Sequence, residues 1–112
     1  MLRRGGVSEA LQCAETALTI RPRYSAGWNN KGCALLALGE RTEALRCLRR
    51  AVECDVRNDD AWFHLGEALR GVGARAEAID AFRKVIAIGD ARFGFPEKAR
   101  RCLKESEWSS PA

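Results

Sequence analysis

Apolar residues along this chain recur at helical spacing. Between residues 28 and 38, Trp28, Leu35 and Leu38, with small Gly32 and Ala34 among them, trace one stripe of a 3.6-residue helix. Gly39 predicts the stop, because glycine adopts the left-handed backbone that closes a helix end. Helical spacing resumes over residues 43–52, where Ala44, Leu45, Leu48, Ala51 and Val52 share one side. Two helices joined by a short turn are expected. Ser25 before Trp28, and Asp59 before Ala61 and Trp62, carry oxygens that accept from the free amides of a helix start, and both are expected to be caps.

The whole pattern then recurs. Trp28 and Trp62 are 34 residues apart, and the same offset links Gly32 to Gly66, Leu35 to Leu69, Gly39 to Gly73, Glu43 to Glu77 and Ala44 to Ala78. Running backward, Gly5, Glu9, Ala10, Leu11, Cys13 and Ala17 stand in the slots of Gly39, Glu43, Ala44, Leu45, Cys47 and Ala51. Half a unit, a second helix over residues 7–20, therefore precedes the first full one. Gly32, Gly66, Ala44 and Ala78 lack bulk where paired helices must approach closely, and Trp28 and Trp62 have the size to fill the space between hairpins. After residue 92 the register lapses. Phe93, Gly94, Phe95 and Pro96 predict a turn with Pro96 at the first helical position. A helix from 97 to about 107 follows, with Ala99, Cys102 and Leu103 as a narrow apolar stripe and Lys98, Arg100, Arg101 and Lys104 pointing elsewhere. Such a helix suits the closed end of a stack, and Ser109, Ser110 and Pro111 make a frayed tail.

These residues resemble the tetratricopeptide repeat, over residues 1 to about 92. In the second full unit Trp62, Leu65, Gly66, Ala78 and Phe82 fill matching slots, while Leu69 stands where Tyr is usual and Asp90 where Pro is usual. In the first, Trp28, Gly32, Ala44 and Ala51 match, but Lys31, Leu48 and Val56 replace the usual Leu, Phe and Pro; the leading half-unit keeps its Pro22. The resemblance implies an all-α fold, a right-handed superhelical stack of antiparallel helical hairpins. The units are a half repeat over 1–24, full repeats over 25–58 and 59–92, and a C-terminal capping helix and tail over 93–112. It also implies that the first helix of each hairpin lines a concave binding surface. Carried over by position, the partner-binding candidates are Asn29, Asn30 and Cys33, with Phe63, His64, Glu67 and Arg70. Asn side chains there can hydrogen-bond an extended peptide.

Composition adds limits. Apolar residues at 46% and charged residues at 30% place the chain among ordinary folded proteins and exclude a disordered one. The formal charge of +4 is spread among interspersed acids, so no single-sign run marks a nucleic-acid partner. The cluster Arg46, Arg49, Arg50 with Lys98, Arg100, Arg101 and Lys104 is diluted by Glu43, Glu53, Asp55, Glu97 and Glu105 and is expected to lack interleaved aromatic residues, so nucleic acid is disfavoured. No stretch of about 18 uncharged apolar residues exists to span a membrane, and Met1 to Gly6 lead into no signal core. A cytoplasmic location is expected. Five scattered cysteines, Cys13, Cys33, Cys47, Cys54 and Cys102, predict reduced, mostly packed thiols.

Candidate chemistry is sparse. Some proteins resembling this one hold a chaperone's carboxylate tail with Lys, Arg and Asn; here only Asn30 matches, while Asp60 and His64 stand in basic slots, and Asp60 would repel a carboxylate. His64 is the single histidine, and Cys33 lies one turn out of its register, so no nucleophile and base pair is expected. Gly71, Val72 and Gly73 form a helix turn without the lysine and hydroxyl of a phosphate loop. Cys47 and Cys54, about two turns apart on one helix, are too distant to clip a metal. No cofactor and no metal are expected. The expected function is a non-enzymatic protein-binding scaffold, with a purely architectural role as the alternative. In the leading half-unit, Leu11, Ala14, Ala17 and Leu18 are expected to be incompletely covered, which points to a longer array or to self-association through that end.

Overall fold

The computed structural model describes residues 4–89 and 94–105, with side chains over 6–89 and 94–104. Six helices follow one another: α1 (Arg4–Ile20), α2 (Ser25–Ala37), α3 (Arg41–Cys54), α4 (Asp59–Gly71), α5 (Arg75–Ile88) and α6 (Phe95–Glu105). There is no strand among the described residues. Helix α1 begins at Arg4, three residues before its expected start. The expected turn residue Phe93, the end of the last helix near Glu107 and the tail Ser109 to Pro111 lie outside the described residues.

Short turns make hairpins of α2 with α3 and of α4 with α5. After α2, Gly39 at φ +84° lets its N–H reach Leu36 O at 3.0 Å while Glu40 N–H reaches Leu35 O at 2.9 Å. After α4, Gly73 repeats the φ and the bonds, to Arg70 O at 3.1 Å and from Ala74 N–H to Leu69 O at 2.9 Å. Both turns thus satisfy carbonyls that the helix end leaves unpaired.

The helix starts differ from expectation by one residue. Asn58 caps α4, its Oδ1 accepting from Ala61 N–H at 3.1 Å, and Asp59 lies buried in the first turn. Ser25 does not cap α2, which starts after Tyr24 without a side-chain cap. Its hydroxyl instead donates to Ala51 O at 2.7 Å and accepts from Asn58 Nδ2 at 2.8 Å. Ser25 is buried, and a buried hydroxyl needs partners more than an exposed helix end needs a cap. The result is a polar pin from the start of α2, across the end of α3, to the start of α4.

Close approach within each hairpin is set by the small residues. A Cβ on Gly32 would lie 2.6 Å from Leu48 Cγ, and one on Gly66 2.7 Å from Phe82 Cε1. Ala44 and Ala78 are fully buried beside them. Leu48, Phe82 and Val85, all buried, anchor a core that runs from α3 through α6, where Ala99 is buried too. Trp28 and Trp62 pack at its margin, each indole N–H donating at 2.8 Å to a carbonyl six residues back, Pro22 O and Val56 O. Those carbonyls are themselves one period apart.

Backbone contacts decide which helices lie inside the curve. Helices α2 and α4 touch, and so do α4 and α6, whereas no backbone contact joins α1, α3 and α5 to one another among the described residues. The first helices of the hairpins therefore form the inner, concave row. The molecule measures 45 × 26 × 23 Å, elongated along the stack. On α1, the face expected to be poorly covered is largely buried against α2, with Val7, Ala14 and Leu18 at 8% exposure or less, Leu11 and Ala17 half-buried, and Ala10 exposed.

Candidate functional site

The inner row carries all seven candidate residues, but not all at its surface. Asn30, Glu67 and Arg70 are exposed, and Cys33 and His64 are half-buried. Asn29 and Phe63 are buried, so neither presents a side chain to a guest. Phe63 belongs to the core: its ring lies 5.7 Å from Phe82 and 5.4 Å from Phe95. The family resemblance placed it on the concave side, and Phe95 of α6 packs against it.

Asn29 has a structural task. It helps to hold the Asp60 carboxyl in its charged form, and its oxygen accepts from the Cys33 thiol at 3.8 Å. Asp60 Oδ1 stands 2.6 Å from His64 Nδ1, one helical turn further along α4. The same nitrogen is 2.8 Å from Asp60 O. Both neighbours are acceptors, so Nδ1 carries a proton. Cys33 lies near enough to the imidazole to favour its charged form. Four side chains from α2 and α4 thus form one polar cluster between the two inner helices.

Charge in the cluster follows from that geometry. Burial opposes the protonated imidazole, but the hydrogen bond to Asp60, reinforced by Cys33, outweighs it and pushes the His64 pKa up to about 10. The hydrogen bond from His64 holds the Asp60 carboxyl below its usual range, against the effect of burial and with help from Asn29 and the Lys98 charge. At neutral pH the pair is an imidazolium and a carboxylate. Asp60 and His64, expected as separate members of altered basic slots, cancel each other.

Two expectations change here. Cys33 is a near neighbour of His64, although their slots differ by a turn. An aromatic residue also does stand among the arginines of the outer face. Trp28 has Lys31 at 5.6 Å and Arg50 at 5.7 Å from its ring, in a groove shared with Arg46 and Arg49. Each of those cations has a carboxylate within reach: Lys31 with Glu15 at 3.7 Å, Arg46 with Glu43 at 2.7 Å, Arg49 with Glu77 at 3.3 Å and Arg50 with Glu53 at 3.7 Å.

The thiols are less packed than composition suggested. Only Cys47 is buried, and burial raises its pKa; Cys33, Cys54 and Cys102 are half-buried, and Cys13 is exposed. Among the described residues no three His, Cys, Asp or Glu side chains are placed to hold a metal ion. No described helix is long and apolar enough to cross a membrane.

The repeat, its glycine turns and the inner row of first helices define a helical-repeat protein of the solenoid class. The chain belongs to the tetratricopeptide repeat family, which matches residues 29–93. No curated protein sequence matches it. Solved structures with the same fold include MamA, at TM-score 0.75 and 19% identity over 92% of this chain. The chain spans 60% of MamA. The translocator chaperone SycD of Yersinia enterocolitica aligns at TM-score 0.78 and 19% identity, over 92% of this chain and 71% of its own. The first repeat domain of Spaghetti (RPAP3), solved with the HSP90 peptide SRMEEVD, aligns at TM-score 0.78 and 18% identity, over 92% of this chain and 84% of that one.

Proposed function

We propose that the chain is a non-enzymatic scaffold that holds a peptide or helix of a partner protein along its concave face. What supports this reading is the inner row of touching first helices, on which Asn30, Cys33, His64, Glu67 and Arg70 are all at least partly accessible. Relatives of the same fold give it precedent: SycD has been solved with a peptide of the translocator YopD, and the RPAP3 domain with its HSP90 peptide. Asn30 supplies both donor and acceptor to an extended backbone. The Asp60 and His64 pair contributes a compensated dipole and not the fixed positive charge that a terminal carboxylate needs, so the partner is held by shape and polar contacts, without a carboxylate clamp.

His64 is not poised as a general base. A general base must be unprotonated near the working pH, and an imidazole with a pKa of about 10 already holds its proton. The paired cations around Trp28 favour a solvated outer face over a nucleic-acid surface. The test is capture of a specific protein from native lysate by the intact chain and by a variant with Asn30→Ala and His64→Ala. Loss of that protein with helicity unchanged supports the scaffold reading; capture indifferent to both substitutions moves the function to an architectural role.

A further inference from the structure

We draw no further inference here: the strongest candidate, the outer groove at Trp28 between α2 and α3, is lined by Lys31, Arg46, Arg49 and Arg50, each already matched by a carboxylate, so nothing in the structure shows what would cover it.

Discussion

At the residue scale, His64 and Asp60 couple stability to pH. His64 binds its proton more tightly folded than unfolded, its pKa rising from 6.5 to about 10. The stabilisation from that proton is complete below about 6.5 and is lost progressively as pH climbs to about 10. Asp60 has the opposite sign: its pKa is lowered from 3.8, so its contribution is present above that value and lost as pH falls. Thermal unfolding of the chain should therefore show a falling midpoint between pH 7 and 10, and Asp60→Asn should flatten that fall; an unchanged slope would remove the pair as its cause. Glycines give a second test, in which sterics and backbone entropy compete. Gly71, with nothing within 4 Å of an added Cβ and no left-handed φ, should gain up to about 1 kcal/mol as alanine. Gly66→Ala has the same entropic gain to set against a buried Phe82 ring with three atoms within 2.9 Å, and overpacking costs about 1 to 3 kcal/mol. The clash wins, so urea midpoints of the two variants should move in opposite directions.

At the element scale, residue types fixed where helices begin and end, but not which polar side chain does which job. Gly39 and Gly73 close α2 and α4 as their position after a helical stripe implies, because only the left-handed backbone lets both turn amides reach back. Asn58, in contrast, was hidden behind Asp59, since both are good caps and the chain chooses by what else must be bonded nearby. Asn58 serves the α4 amide and Ser25 together, and Ser25 in turn serves the end of α3. Asn58→Ala should cost about 1 to 2 kcal/mol in chemical denaturation, because it removes the α4 cap and also the hydrogen bond that the buried Ser25 hydroxyl accepts. The candidate site was legible to the same degree. The period put Asn30, His64, Glu67 and Arg70 on first helices, but a 34-residue offset describes like positions and says nothing of the stagger between α2 and α4. Cys33 is nonetheless a neighbour of His64, and Asn29 is buried.

At the scale of the whole molecule, stability passes from neighbour to neighbour along the stack. Helix α6 is the element least determined by the period, and Phe95 is one of its attachments, its ring lying 5.4 Å from Phe63 and 6.1 Å from His64. Nothing in the repeat foretold this contact, because Phe95 stands in the slot of Ala61, which is small and fully buried. Ring and cation act together there, with Lys98 5.4 Å from the Phe95 ring and its charge felt by Asp60. Removing the ring by Phe95→Ala should therefore do two things: uncover Phe63 and loosen the His64 cluster, at a cost of about 2 to 4 kcal/mol. Since α6 touches α4 and α5 but not α1, α2 or α3 among the described residues, the loss should be felt unevenly. Amide exchange should quicken most in α4 and α5 while α2 keeps its protection, if each hairpin is stabilised mainly by the one beside it. Uniform acceleration from α1 to α5 would mean instead that the short stack unfolds as a single cooperative unit.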